Sequence, residues 1–329
     1  MSFRDLPKIE LHHHLEGAAP PALVRDMARA KGLDISGIFD AKGAYDYRDF
    51  LQFLDVYEEA TKPFKSPDDY ALLTAIVLGE AAEAGVVYLE SFLSPDFCGG
   101  RDPVAWREYL QAMVEAANAA EALGITMNGI VTAIRHFGPE AARETAACAR
   151  ETAGDFITGF GLAGDENAGH PADFAYAFDM AREAGLRLTA HAGEWGGPQS
   201  IRDALTHLKV ERIGHGVRAI EDPALVRELA DTGVVLEVCP GSNVALGVYP
   251  SWAEHPIARL REAGVKVTVS TDDPPFFHTD MVREYDELAS AFGWVEADFA
   301  ALNRVALDAA FCNDFTRARI ADRLEGADA

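Results

Sequence analysis

The feature that most constrains the fold of this chain is a unit that recurs five times along it. In each unit a helical stretch ends in glycine and an apolar, β-branched run follows at once. Glycine just past a helix end takes a left-handed conformation that residues with a β-carbon resist. An apolar run without polar alternation is typical of a strand buried on both faces, as in a parallel sheet. The units are Ala84-Gly-Val-Val-Tyr-Leu-Glu90, Leu123-Gly-Ile-Thr-Met-Asn128, Ala184-Gly-Leu-Arg-Leu-Thr-Ala-His191, Thr232-Gly-Val-Val-Leu-Glu-Val238 and Ala263-Gly-Val-Lys-Val-Thr-Val269.

Further strands at Lys8–His14, 156–162 and 212–215 bring the predicted total to about eight, and amphipathic helices at 173–184, 222–231 and 256–263 separate several of them. Eight β/α units in one chain predict an α/β fold, a (β/α)₈ TIM-type barrel in a single domain over residues 1–329. Residues 18 to 83 must then hold extra helices between strands one and two. A doubly wound sheet is the alternative, although no GxGxxG or P-loop pattern follows any strand.

One part of this long insertion has helical spacing of large apolar residues: Phe50, Phe53, Leu54 and Tyr57. Such a stripe is typical of a helix that packs on the barrel. The alternative is an apolar lid over the mouth of the barrel. Both interpretations are compatible with the sequence.

The composition narrows the class of protein. Apolar residues form 49% of the 329 residues, enough for a large core, and the formal net charge is −24. That charge argues against nucleic acid or an anionic membrane as a partner and suits a small neutral or cationic substrate. The four cysteines have no paired spacing, no apolar run is long enough to span a bilayer, and no N-terminal signal is recognised. We therefore expect reduced thiols and a soluble, cytoplasmic protein.

Polar side chains cluster where the predicted strands end. Alternation along strand one places His12 and His14 on one face, and His191, His215 and Asp272 end strands five, six and eight. Because the carboxyl ends of barrel strands form the active site, we expect these five groups to converge. Three imidazoles and one carboxylate (His12, His14, His191, Asp272) are a plausible set of ligands for one Zn²⁺ with a position left for water. Fe²⁺, Co²⁺ or Mn²⁺ would accept similar ligands.

A metal in such a site lowers the pKa of bound water to about 7 and so supplies a hydroxide nucleophile. His215 and Asp272 are both candidates to hold that water and accept its proton. Glu194, three residues after a predicted ligand, is placed to donate a proton to the substrate. Strand four contains no lysine that could bridge two metals, which favours one metal per chain. The chain is therefore predicted to be a metal-dependent hydrolase.

Six motifs, in order along nearly the whole chain, resemble the adenosine/adenine deaminase family of the amidohydrolase superfamily. They are Leu11-His-His-His-Leu-Glu-Gly17, Leu162-Ala-Gly-Asp-Glu166, His191-Ala-Gly-Glu194, Arg212-Ile-Gly-His-Gly216, Cys239-Pro-Gly-Ser-Asn243 and Thr271-Asp-Asp-Pro274. The resemblance implies a zinc barrel that replaces the exocyclic amine of a purine with oxygen and releases ammonia.

By the same resemblance the ligands are His12, His14, His191 and Asp272. Glu194 would protonate purine N1, and His215 would orient the hydroxide that attacks C6. Asp273 would contact N7, and the backbone N–H of Gly164 would contact N3. A small-molecule purine is then the expected partner.

Different motifs of the chain indicate different substrates. Adenosine deaminases usually carry Asp, associated with the ribose, where this chain has Glu16, a residue common in adenine deaminases. The motifs ending in Glu166 and Gly216 resemble the nucleoside branch instead, and Gly161 replaces an Asp often found there. We expect adenosine, converted to inosine, as the substrate, with adenine or a modified adenine nucleoside as the alternative.

Other classes of protein fit the sequence less well. A phosphoesterase would need Arg or Lys at the strand ends, and a binding protein would need neither Glu194 nor His215. Among the remaining histidines, His207 and His255 are expected at the surface, and His278 either shapes the pocket or packs.

Overall fold

The computed structural model describes residues 3–326, which contain an eight-stranded parallel barrel in sequential order. Every neighbouring pair from β1–β2 to β7–β8 is parallel, with helices between the strands. The predicted (β/α)₈ barrel is confirmed, and the doubly wound sheet is ruled out. The strands are β1 (Lys8–His14), β2 (Val86–Leu93), β3 (Thr126–Ile134), β4 (Ile157–Ala163), β5 (Arg187–Ala192), β6 (Arg212–His215), β7 (Val235–Val238) and β8 (Lys266–Val269).

The barrel closes between β1 and the residues that follow β8. The backbone N–H of His14 donates to the carbonyl oxygen of Asp272 at 3.0 Å, and the N–H of Asp272 donates to that of His12 at 3.1 Å. The same backbone contacts that close the barrel therefore bring three predicted metal ligands together.

The helices surround the barrel, and several begin where the sequence provides a cap. The carboxylates of Asp102 and Asp222, for example, accept backbone N–H groups of the first turn just before a proline-led helix. As predicted for residues 18 to 83, three helices separate β1 from β2. The helices are α1 (Pro21–Ala30), α2 (Phe50–Thr61), α3 (Pro67–Glu83), α4 (Pro103–Ala120), α5 (Gly138–Thr152), α6 (Ala175–Glu183), α7 (Pro198–Asp203), α8 (Pro223–Thr232), α9 (Pro240–Ala245), α10 (Ile257–Glu262), α11 (Pro274–Phe277), α12 (Met281–Phe292), α13 (Glu296–Ala309) and α14 (Asp314–Glu325).

Below the strand ends, the barrel interior holds a buried ionic group. The guanidinium of Arg212 donates to Glu90 at 2.6 Å and to Glu237 at 2.5 Å, and all three side chains are buried. The Arg212 guanidinium also lies 3.5 Å from the ring centroid of Phe311. A buried charge needs such partners because its desolvation is costly.

Two further expectations from the sequence concern membrane-spanning helices and the state of the cysteines. In the part of the chain that the structure describes, no helix combines the length and apolarity needed to cross a membrane. Cys98, Cys148, Cys239 and Cys312 are free thiols.

Candidate active site

The four predicted metal ligands converge at the carboxyl ends of the strands. Nε2 of His191 lies 3.0 Å from Nε2 of His12 and 3.2 Å from Nε2 of His14. Oδ1 of Asp272 lies 3.4 Å from Nε2 of His12 and 3.3 Å from Nε2 of His14. A tetrahedral zinc site with bonds of about 2.0–2.1 Å separates its ligand atoms by about 3.3 Å. The spacing of these four atoms fits one such metal ion.

The hydrogen bonds behind the ligands fit a metal as well. Nδ1 of His12 lies 2.9 Å from Oε2 of Glu237, and Nδ1 of His191 lies 3.0 Å from the carbonyl oxygen of Leu162. Both partners only accept, so each Nδ1 carries a proton and each Nε2 is left to face the metal position. Two ring nitrogens 3.0 Å apart need a cation between them, which a metal ion would supply. Outer carboxylate or carbonyl partners of this kind are usual for metal-bound histidines.

Two residues of the site have a strained backbone. His215 and Asp272 have φ values of 59° and 68°, a region that residues with a β-carbon enter at a cost of about 1–3 kcal/mol. Ser242 donates its hydroxyl to Oδ2 of Asp272 at 2.7 Å, which leaves Oδ1 for the metal position. Gly214 precedes His215, and a Cβ there would lie 2.8 Å from Cε1 of His12. Only glycine lets that imidazole pack so closely against β6.

A cavity opens directly above this cluster. Its volume is about 60 Å³. The stripe Phe50, Phe53, Leu54 and Tyr57 of α2 forms part of its wall, so this helix both packs on the barrel and covers its mouth. The polar lining is His14, Glu58, His136, Gly164, His191, Glu194, His215, Asp272 and Asp273.

Glu194 is buried in this lining, and its Oε1 has no hydrogen-bond partner. Burial, together with the negative charges of Asp272 and Glu166, raises the pKa of Glu194 well above its usual value. A carboxyl in this environment holds its proton more strongly than an exposed one, as a general acid must.

The loop that carries Glu194 is held by Glu166. Its carboxylate accepts backbone N–H groups from Gly193 at 2.5 Å, Glu194 at 3.1 Å, Trp195 at 2.8 Å and Gly196 at 2.8 Å. Burial opposes ionisation of Glu166, but the hydroxyl of Ser200 and these N–H groups lower its pKa. A carboxylate with a lowered pKa therefore fixes the loop that carries a carboxyl with a raised pKa.

The three predicted substrate-binding residues lie in different surroundings. Gly164 and Asp273 line the cavity, and Oδ1 of Asp273 is buried without a partner. Burial and the nearby charges of Asp272 and Glu194 raise the pKa of Asp273 well above its usual value. Glu16, by contrast, is 3% exposed, is absent from the lining and accepts the hydroxyl of Tyr70 at 3.1 Å. Burial raises its pKa to about 7.

A second group of potential ligands, His170, Asp203 and His207, lies on the surface with ligand atoms within 4.8 Å of one another. Nδ1 of His170 accepts the N–H of Ala172 at 3.1 Å. A neutral imidazole has one lone pair, so Nε2 carries the proton and faces Oδ2 of Asp203 at 3.3 Å. This arrangement is a hydrogen-bonded group that does not fit a metal.

Sequence reasoning missed the residues that support the site: Glu237, Glu166, Ser242 and Asn243. Each lies in a motif or within two residues of one, but nothing in its spacing shows which neighbour it contacts. The prediction that His255 lies at the surface was wrong, because it is 1% exposed and contacts Asn243. His278 is exposed and lies outside the cavity lining.

Comparison with known proteins places these observations in context. Residues 7–327 match the family described as Adenosine deaminase. The chain is 51% identical over 97% of its length to a protein of Chelativorans sp. (strain BNC1) named adenine deaminase, of which it covers 98%.

Two solved structures are similar over most of the chain. That of adenine deaminase from Arthrobacter aurescens superposes with a TM-score of 0.90 at 30% identity, over 98% of this chain and 99% of that one. That of an amidohydrolase from Burkhoderia ambifaria with bound Zn superposes with a TM-score of 0.86 at 27% identity, over 99% of this chain and 92% of that one.

Proposed function

The chain belongs to the adenosine deaminase family, and from this premise we propose that its substrate is the free base adenine, which it hydrolyses to hypoxanthine and ammonia. As a member of this family it is a hydrolytic purine deaminase. The choice between base and nucleoside is the finer step. The sequence motifs favoured adenosine and left adenine as the alternative. We now propose adenine.

The observation that carries this proposal is the position of Glu16. At the place where the resemblance puts a ribose-binding carboxylate, this chain has a buried Glu that is hydrogen-bonded to Tyr70 and absent from the cavity lining. Aromatic side chains of α2, including Phe53 and Tyr57, form part of the wall of the small cavity above the cluster. Such a cavity suits a flat base better than a base with an attached sugar. The relatives named adenine deaminase, at about half identity, support the same choice.

The site residues suit the negative charge that develops on the purine during deamination. Attack at C6 forms a new C–O bond and pushes electron density onto N1, where protonated Glu194 donates its proton. Collapse of the tetrahedral centre then breaks the C–N bond: the proton of the added hydroxyl passes to the amine, which leaves as ammonia, and the C6 oxygen becomes a carbonyl. A group that is protonated and unpartnered before the substrate arrives stabilises the transition state most.

We assign Asp273 to N7 and the backbone N–H of Gly164 to N3 of the purine. N7 of adenine accepts hydrogen bonds, so the partner must donate. A protonated Asp273 carboxyl can do so, which agrees with its raised pKa and with the unpartnered Oδ1.

His12, His14, His191 and Asp272 would hold the metal, which we propose to be a single Zn²⁺. When bound, a zinc ion lowers the pKa of water to about 7 and so makes a nucleophile available at neutral pH. His215 lies at the edge of this cluster, with Nε2 3.8 Å from Oδ2 of Asp272 and 3.7 Å from Oε2 of Glu194. It is placed to orient the attacking oxygen.

The test is steady-state deamination of adenine and adenosine by the metal-loaded enzyme, followed by ultraviolet absorbance and ammonia release. We expect kcat/KM for adenine to exceed that for adenosine by at least about 100-fold, close to 3 kcal/mol of discrimination. A preference for adenosine would contradict the proposal. Turnover of neither, with metal bound, would favour a purine substituted at the exocyclic nitrogen.

The variant Glu16→Gln tests directly whether Glu16 contacts the substrate. Glutamine keeps the acceptor for the Tyr70 hydroxyl and mimics a protonated carboxyl. If Glu16 does not touch the substrate, KM for adenine should stay within about threefold of the wild-type value. A larger rise in KM without loss of stability would make Glu16 a substrate contact.

A further inference from the structure

Three buried side chains, His215, Asn243 and His255, form a hydrogen-bonded chain, of which the proposed reaction uses only His215. Nδ1 of His215 lies 3.3 Å from Nδ2 of Asn243. Oδ1 of the same Asn243 lies 3.1 Å from Nε2 of His255, and Nδ1 of His255 accepts the backbone N–H of Ile257 at 3.2 Å. All three side chains are buried, so each hydrogen bond must be satisfied within the chain.

The backbone N–H of Ile257 sets the direction of every bond in this chain. That group can only donate, so Nδ1 of His255 must carry the lone pair and Nε2 must carry the proton. The proton of Nε2 needs an acceptor, and among residues 3–326 Oδ1 of Asn243 is the one in contact with it. The amide nitrogen of Asn243 therefore faces His215 and donates to its Nδ1.

The opposite orientation of the Asn243 amide fails at a specific atom. It would place Nδ2 against Nε2 of His255, which would then need its lone pair there and its proton on Nδ1. That proton would point at the N–H of Ile257, so two donors would meet. Burial also lowers the pKa of His255 to about 3, so that ring is neutral at pH 7. Nδ1 of His215 faces the donor Nδ2 of Asn243 and therefore carries a lone pair.

We propose that Asn243 and His255 are positioning residues that hold His215 with its proton on Nε2. This tautomer is opposite to that of His12 and His191, whose Nδ1 atoms carry the proton and donate to Glu237 and Leu162. The three imidazoles thus have two separate tasks. His12 and His191 present lone pairs to the metal position, and His215 presents a hydrogen-bond donor to the cavity.

This assignment rests on the proposed deamination for its catalytic meaning and decides a point that the sequence left open. A neutral imidazole with its proton on Nε2 has no lone pair on that atom. His215 therefore orients and stabilises the attacking oxygen by donating a hydrogen bond, and it does not accept the proton of that oxygen.

The tautomer can be read without any substrate. In metal-loaded protein labelled with ¹⁵N-histidine, long-range ¹H–¹⁵N correlation distinguishes protonated from unprotonated ring nitrogens, and the variant His215→Gln identifies the signals of His215 by their loss. We expect an unprotonated Nδ1 and a protonated Nε2. The reverse pattern would overturn the proposal.

The variant Asn243→Asp changes the hydrogen bonds between Asn243 and its two histidine neighbours with almost no change in side-chain size. A carboxylate accepts only, so Nδ1 of His215 must become protonated to donate to it, and the tautomer should invert. We expect kcat for adenine to fall about 10–100-fold, as for other outer partners of active-site histidines, with KM within about threefold. His255→Leu, which removes the donor to Oδ1, should shift the His215 signals towards a mixture of tautomers. It serves as the second variant if Asn243→Asp does not fold.

A matched control is Asn303→Asp. Asn303 is also buried and also bridges elements, since Oδ1 accepts the N–H of Ile9 and the hydroxyl of Tyr285 and Nδ2 donates to the carbonyl oxygen of Pro7. It should lower stability while the His215 signals, and kcat per folded molecule, stay as in wild type. If both Asn→Asp variants behave alike, Asn243 has only a structural role and the proposal fails. Because the spectrum needs no turnover, it stands even if adenine proves not to be the substrate.

Discussion

Replacing Glu237 by Gln should weaken metal binding and stability together, and a matched variant can separate the two effects. Oε2 of Glu237 accepts Nδ1–H of His12, while Oε1 accepts from Arg212 at 2.5 Å and from the hydroxyl of Thr189 at 2.9 Å. Glutamine has one acceptor oxygen for these three donors. One donor must therefore lose its partner, and the charge that balances Arg212 is halved.

The expected magnitudes follow from these contacts. Loss of an outer-sphere partner of a metal-bound histidine weakens metal affinity about 10–100-fold, which is about 1.4–2.7 kcal/mol. Loss of a hydrogen bond to a buried charged group costs about 1.5–3 kcal/mol of unfolding free energy. Both effects should be measurable in one preparation.

The matched variant is Glu90→Gln. Glu90 pairs with the same Arg212 at 2.6 Å and is equally buried, but it does not contact His12. We expect the two variants to lose similar stability in urea unfolding of the metal-free proteins. Only Glu237→Gln should show weaker zinc binding in competition with a chelator. Equal zinc affinities in the two variants would refute the reasoning that Glu237 supports the metal through His12.

Three further predictions follow from single contacts. Glu194→Gln removes the proposed proton donor and should lower kcat by at least about 100-fold with metal content unchanged; more than a tenth of wild-type activity would refute the acid role. Gly17→Ala should raise KM for adenine more than about tenfold, because the new Cβ would lie 1.6 Å from Oδ1 of Asp273; Gly37→Ala, with no atom within 4 Å of its Cβ, is the control. Burial raises the pKa of Glu284 to about 8. Between about pH 5 and pH 8, Glu284 is therefore protonated in the folded state and ionised in the unfolded state. This group therefore removes stability as pH rises through that range, at up to about 1.4 kcal/mol per pH unit, and Glu284→Gln should reduce the difference in urea-unfolding free energy between pH 6 and pH 8. An unchanged difference would mean that Glu284 is ionised when folded.

The sequence predicted the barrel because its signals are local. Glycine after a helix and a β-branched run after the glycine act within a few residues, and β1 (Lys8–His14) and β6 (Arg212–His215) have the predicted bounds. The five polar groups at strand ends were predictable for the same reason, since the carboxyl ends of parallel strands meet at one face of the barrel.

The supporting residues could not be found in this way. Glu237 contacts His12, which precedes it by 225 residues, and Glu166 accepts from a loop that begins 27 residues later. The residues around His255 suggested an exposed helix. In the structure His255 is buried, because it contacts Asn243 of α9 and the first residue of α10, Ile257. Such contacts depend on how helices and loops pack on the barrel, which no local pattern specifies.

The same division holds for chemistry and substrate. The sequence by itself determined which atoms can bind a metal and which carboxyls lie beside them, because residue type and strand end suffice for that. Only the tertiary structure decided how strongly these groups hold a proton, since burial and neighbouring charges raise the pKa of Glu194 and Asp273 while hydrogen bonds lower that of Glu166. It also decided that Glu16 faces Tyr70 and not the cavity, because that depends on where α3 packs against the first strand.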